Sequence, residues 1–200
     1  MFPLGGVLFP SVVLPLHVFE PRYRALVDDC LAGDSEFGVV LIQRGSEVGG
    51  DDVRTDVGTL ARIIEATRLD DGRWVLNTVG TRRIRIERWL TDDPYPRAEV
   101  RDWPDDDIDA DLGEAYRDGV SSLRRVLALK AELGEGAAPA TIELTDEPGL
   151  GSHQLCALAP FGPLDQQRLL SSPGAAGRLE EVGRMLDEEA GFLEQRLRMG

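Results

Sequence analysis

Ser152, His153 and Asp146 are the residues that come nearest to a hydrolytic triad. A nucleophilic serine needs an imidazole within hydrogen-bond reach and a carboxylate behind it. Neighbouring Ser and His residues on one helix point in different directions and cannot meet. Gly151-Ser152 also lacks the second glycine of a Gly-x-Ser-x-Gly elbow. A Ser–Lys dyad and a phosphate-binding loop both need a lysine. Lys130 is the only one, and it falls in a helical stretch away from any Gly-rich turn. His153 and Cys156 lie three residues apart and could share a helix face, but two ligands are too few for a metal, and His17 and Cys30 have no sequence link to them. Asp28-Asp29 and Asp51-Asp52 read as solvated surface rather than acid–base couples. The chain is therefore expected to be a non-enzyme, with no catalytic residue, no metal and no cofactor.

Recognition is the chemistry that remains. Aromatic residues make up 6% of the chain, and Trp74, Trp89 and Trp103 lie on or beside expected strands, where core or lobe-interface roles fit them best. The candidate peptide-binding residues are Tyr95, Trp103 and Phe161, apolar residues beside Pro-rich breaks, which would line a groove near the junction of two lobes.

These residues must be positioned by elements that the periodicity delineates. Leu4 and Val7-Leu8-Phe9 form one apolar segment, broken by Pro10. Val12 to Phe19 forms a second with Pro15 inside it, which implies an edge strand or a bulge. Pro21 suits the first turn of a helix carrying Tyr23, Leu26, Val27, Cys30 and Leu31, with Gly33 at its C′ position. Strands follow at Glu36–Ile42, Val57–Thr67, Arg73–Val79, Thr81–Trp89 and Ala98–Arg101. Asp70-Asp71-Gly72 supplies a hairpin turn, and a Gly/Asp-rich loop falls between Gln43 and Asp56. Pro94, Pro96 and Pro104, with Asp105-Asp106-Asp107, mark a boundary, after which the apolar period changes from two to about 3.6. Leu112 to Leu127 forms a long amphipathic helix ended by Gly134–Ala138. A shorter one carries Leu155 and Leu158, another begins near Pro163, and a last long one follows Pro173 with Leu179, Val182, Leu186, Ala190, Leu193 and Leu197 on its stripe, widened by Met185 and Phe192. The expectation is α+β in two parts: a β-rich lobe over 1–104 and a helical lobe over 105–200.

Composition narrows the partners. At 200 residues and 42% hydrophobic, the chain can bury a real core. No apolar run approaches the ~20 residues of a membrane span, and Met1-Phe2-Pro3-Leu4 has no signal-peptide layout, so the expected location is cytoplasmic, with no membrane partner. Cys30 and Cys156 read as buried free thiols. The net charge is −14, divided as −4 over residues 1–104 (13 basic, 17 acidic) and −10 over 105–200 (9 basic, 19 acidic). Such a field repels phosphate backbones, so nucleic acid is not expected as a partner.

One set of strings carries a resemblance. Phe2-Pro3-Leu4, Val7-Leu8-Phe9-Pro10 and Leu14 through Tyr23, with Phe19-Glu20-Pro21-Arg22-Tyr23 as the most specific part, are similar to the opening of the Lon protease N-terminal domain family. Phe37-Gly38-Val39-Val40, Val57-Gly58-Thr59 with Ala61, Val79-Gly80 before Arg83-Ile84-Arg85-Ile86, and Asp165 to Leu170 follow in the family's order. The resemblance implies a PUA-like β pseudo-barrel followed by a C-terminal helical bundle. It also implies a stand-alone, non-catalytic, proteolysis-related substrate-recognition module that binds unfolded or tagged polypeptide. In the Phe19–Tyr23 signature, the structural reading has Glu20 and Arg22 orienting the entry to the first helix and Tyr23 packing. The acidic helical half could steer basic segments toward a groove. The PUA-like fold leaves an RNA-binding alternative, to which Arg82, Arg83, Arg85 and Arg88 would contribute a basic stripe. A small-ligand binder or an enzyme of unknown reaction is the other alternative.

Overall fold

The computed structural model describes residues 1–45, 53–106 and 111–199. The chain is α+β, with one mixed sheet of six strands and five helices among the described residues. Its internal contacts divide it into two compact units, Met1–Pro104 and Asp105–Gly200.

The first unit contains β1 (Phe2–Leu4), β2 (Val13–Val18), α1 (Pro21–Ala32), β3 (Glu36–Arg44), β4 (Val53–Arg68), β5 (Trp74–Leu90) and β6 (Arg97–Asp102). The strand path runs β1-β3-β4-β5-β2, with β6 also on β5. β1 lies parallel to β3; every other pairing is antiparallel. The long β5 serves two partners along one edge, β2 beside Trp74–Val79 and β6 beside Ile84–Leu90. The two runs read separately as Arg73–Val79 and Thr81–Trp89 are thus one strand. The hairpin from β4 to β5 closes at Gly72, whose φ of +82° is open to glycine at no steric cost.

Pro15 sits in the middle of β2, at one end of the strand path, where a missing outward N–H forfeits no ladder bond. Of the first apolar segment only Leu4 lies in a strand, as the end of β1; Leu8 and Phe9 are buried outside the ladder. α1 begins at Pro21 as its first-turn proline requires, but its exit differs from the expectation. Gly33 has φ −119°, and the left-handed residue is Ser35 at φ 57°, whose N–H reaches the Cys30 carbonyl at 2.9 Å. The helix therefore leaves through a wider turn that delivers the chain directly to β3. The core of this unit collects Phe2, Leu8, Val18, Tyr23, Leu26, Val27, Phe37, Val39, Ala61, Ile63 and Leu76. Phe2 stacks on Tyr23 with ring centroids 4.4 Å apart.

The second unit contains α2 (Gly113–Glu132), α3 (Pro148–Leu158), α4 (Pro163–Leu170) and α5 (Ala175–Met199). α2 and α5 make the main packing, with Gly119, Leu123, Val126 and Leu127 buried on one helix and Leu179, Val182, Leu186, Ala190 and Leu193 on the other, while Tyr116 lies against Gly151 of α3. Phe192 does not widen the α5 stripe as expected; it is exposed under the Arg196 guanidinium. Gly134, φ +71°, follows α2 and allows its left-handed exit. α3 is capped by the Glu147 carboxylate, which accepts from Gly149 N (2.8 Å) and Leu150 N (2.6 Å). Arg178, fully buried, forks onto Asp105 and donates to Ser152 Oγ at 2.9 Å, tying the start of this unit to α3 and α5.

Candidate functional site

The residues that entered as a sequence signature meet at one cleft of about 220 Å³ in the first unit. β1 contributes Phe2, Pro3 and Leu4. β2 and its continuation contribute Pro15 to Glu20, and α1 contributes Tyr23. Consecutive residues of both strands line it, so the cleft is bounded by strand edges rather than by one sheet face. β1 and β2 are the two ends of the strand path, and both border this one space.

Its floor is aromatic and aliphatic. The Phe2–Tyr23 stack continues into Phe37 at 5.9 Å, and Leu4, Leu14 and Leu16 pack against the same core. The polar part is local: Arg22 Nε donates to Glu20 Oε2 at 3.1 Å, and its guanidinium lies 4.5 Å from the Tyr23 ring centroid. This arrangement holds the chain where it turns from β2 into α1. Phe19, between them, is 54% exposed at the mouth. A cleft of this make-up can bury apolar side chains.

None of Tyr95, Trp103 and Phe161 is among the residues lining this cleft, although Tyr95 packs against the core beneath it. The Tyr95 hydroxyl donates to Asp29 Oδ2 on α1 at 2.7 Å. Trp103 is buried, with the guanidinium carbons of Arg83 and Arg85 at 4.3 and 4.4 Å from its ring centroid and its backbone N–H donating to the Arg83 carbonyl. Phe161 belongs to the second unit, half-buried between α3 and α4, with its N–H on the Ala159 carbonyl. Phe2 and Leu16 entered the sequence analysis only as part of the family-like strings, not as candidate contact residues. The available signal was Pro15 in a short apolar strand, which marks an edge.

The hydrogen bond to the Asp29 carboxylate, with burial, pushes the Tyr95 phenol from 10.0 up to about 12. A raised folded value stabilises fully below the ordinary phenol range and is lost as pH climbs from about 10 to 12. Tyr95→Phe is therefore expected to remove a step near pH 12 from the ultraviolet phenolate titration and to flatten the pH dependence of stability above about 10. A Tyr95 that titrates with free tyrosine would contradict the bond.

The triad and metal candidates also have places. Ser152 Oγ donates to the Gly149 carbonyl at 2.6 Å while accepting from Arg178, so its hydroxyl is fully engaged. Burial pushes the Cys156 thiol up to about 12, and Cys30 Sγ donates to the Glu36 carbonyl. Among the described residues, no group of three or more His, Cys, Asp or Glu could hold a metal ion, and no helix is long and apolar enough to cross a membrane.

Fold and cleft together define a mixed-sheet α+β domain with an apolar, strand-edged cleft. The substrate-binding domain model of the ATP-dependent protease La (LON) matches residues 1–188, and the chain belongs to this family. It is 27% identical to the Lon protease of Desulfosudis oleivorans, over 97% of this chain and 24% of that protein. It is 30% identical to Lon protease 2 of Sorangium cellulosum, over 92% and 24%. The chain thus spans about a quarter of the length of these curated relatives. The crystal structure of a Lon N-terminal domain protein from Xanthomonas campestris superposes with a TM-score of 0.63 at 31% identity, covering 90% of this chain and 94% of that one. The N-terminal domain of Mycobacterium avium complex Lon protease shares the fold with a TM-score of 0.61 at 17% identity.

Proposed function

We propose that this chain is a non-catalytic recognition module that binds unfolded or tagged polypeptide in the cytoplasm, with residues 1–104 as a PUA-like pseudo-barrel lobe and 105–200 as a helical bundle. The observation that carries the reading is the apolar cleft floored by Phe2 and Tyr23 in a member of a substrate-binding family. The two ends of the strand path bordering one space support the pseudo-barrel. Tyr95, Trp103 and Phe161 remain the alternative contact residues, and their alanine variants enter the same assay.

The RNA reading is disfavoured by how the arginines of β5 are used. Arg82 pairs with Asp102 and Glu36, and Arg88 with Glu99, while Arg83 and Arg85 lie on Trp103. Two of the four arginines are thus paired with carboxylates and the other two are laid against an indole, and the net charge of −14 opposes phosphates. Labelled lysozyme, reduced and blocked with iodoacetamide so that it stays unfolded, is expected to bind in fluorescence anisotropy at physiological ionic strength. Native lysozyme and a single-stranded RNA of mixed sequence are expected to leave the signal flat. Tight RNA binding, or no preference for the unfolded form, would overturn the assignment.

A further inference from the structure

We propose that the outer edge of β2 captures an extended, apolar, non-acidic segment of another polypeptide as an added strand, whose alternate side chains fill the cleft beside it. The proposal rests on the polypeptide-binding reading above and names its surface.

The direction of the backbone groups follows from the ladder. Gly80 N donates to Val12 O at 2.9 Å and Ser11 N donates to Gly80 O at 2.8 Å, and the register continues as Val13↔Val79 through Val18↔Trp74. In an antiparallel pair the bonded residues alternate, so Leu14, Leu16 and Val18 turn their polar groups to β5. Val13, Pro15 and His17 turn theirs outward, where the strand path ends. That edge offers two complete N–H/C=O pairs, from Val13 and His17, and the Pro15 carbonyl between them. Such a row complements another extended backbone. β1, at the other end of the path, has three residues with Pro3 at its centre and offers no ladder of useful length.

Edge strands are ordinarily guarded by charge, especially lysine. Val13-Leu14-Pro15-Leu16-His17-Val18 contains no Lys, Arg, Asp or Glu, in a chain that is 29% charged. Val13 is 59% exposed at its start and Phe19 54% exposed just past its end, so apolar surface flanks the open edge on both sides. Charge selects the occupant. The two carboxylates nearest the edge, Glu20 and Asp71, are paired with Arg22 and Arg73, so the bias comes from the field of the whole chain at −14. An acidic segment is repelled, while a neutral or basic one is not. Residues of the segment opposite Val13 and His17 must supply both backbone groups, which excludes proline there.

The test is His17→Pro. The N–H it removes points away from β5, and an edge strand already tolerates Pro15, so the fold is expected to survive, as checked by thermal unfolding. The probes are a fluorescein-labelled peptide of alternating Val and Thr flanked by Lys, the same peptide N-methylated at alternate amides, and unfolded lysozyme. Wild type is expected to bind the plain peptide with slowed amide exchange across residues 13–17. His17→Pro and, separately, peptide N-methylation are each expected to weaken binding by about tenfold or more. Should His17→Pro misfold, the N-methylated peptide and the exchange measurement on wild type decide alone. Lysozyme binding that His17→Pro leaves unchanged, without slowed exchange at the edge, overturns the surface but not the polypeptide reading. Failure of wild type to bind either lysozyme or peptide overturns both. A wild-type dimer abolished by His17→Pro would make a second copy the occupant and would also overturn the proposal.

Discussion

Arg178→Ala is expected to destabilise the second unit by about 3–5 kcal/mol, the range for removing one partner of a buried ion pair. The Arg178 side chain is fully buried and heads the fully buried side chains by volume. Its Nη atoms reach the two Asp105 oxygens at 3.1 and 2.7 Å, and its Nε reaches Ser152 Oγ at 2.9 Å. The bidentate fork suits a planar guanidinium and no other side chain. Truncation strips Asp105 of this fork and Ser152 of a donor, and opens a void between α3 and α5. Arg178→Lys should recover part of the loss, because charge returns without the fork. Urea unfolding followed by far-ultraviolet circular dichroism measures it. A buried pair is screened little by salt, so the difference is expected to persist at high ionic strength, unlike the exposed Arg184 pairs with Glu181 and Glu188. A loss below about 1 kcal/mol would mean that the pair is no stronger than a surface bridge.

This network explains why a serine beside a histidine misleads as a catalytic signal. Ser152 is a hinge of structure: one lone pair for Arg178, one proton for Gly149. Periodicity alone placed α2, α5 and the β4–β5 hairpin close to where they lie, because amphipathic stripes and the Asp70-Asp71-Gly72 turn are local signals. Three features escaped local reading. Thr81 and Gly80 interrupt the apolar alternation of β5, so one strand looked like two, although β4 pairs along its whole length up to Arg85. Trp103 reads from sequence either as a core or lobe-interface residue or as a peptide contact beside a Pro-rich break; Arg83 and Arg85 are remote in sequence but near in the ladder, and they close over it. The cleft depends on strands at opposite ends of the sheet path, a juxtaposition that no spacing within residues 2–23 discloses.

Gly80→Ala is expected to destabilise the first unit by about 3 kcal/mol or more, at or beyond the upper end of ordinary overpacking. A Cβ there would stand 2.2 Å from the Phe9 carbonyl oxygen and 2.9 Å from its carbon. These are backbone atoms, so no side-chain rotation relieves the clash. Neither can β5 back away without loss, because Gly80 exchanges hydrogen bonds with Ser11 and Val12 at 2.8 and 2.9 Å. The opposing segment is held as well: Thr59 Oγ1 donates to the Leu8 carbonyl at 2.5 Å, and Leu8 and Phe9 are buried. Gly58→Ala meets the same obstacle at the Val39 carbonyl, also 2.2 Å away. Two glycines of the family-like strings are thus explained by close approach of backbone, not by turns. Gly136→Ala, with nothing within 4 Å of its Cβ, is the matched control and is expected to stay within about 0.5 kcal/mol of wild type. The consequence reaches the cleft, because residues 9–12 lead directly into β2. If Gly80→Ala folds by pushing this segment outward, the Val12–Gly80 bond that sets the β2 register is the first to go. Polypeptide binding should then fall together with stability, whereas Arg178→Ala, confined to the second unit, should lower stability and spare binding wherever the protein remains folded.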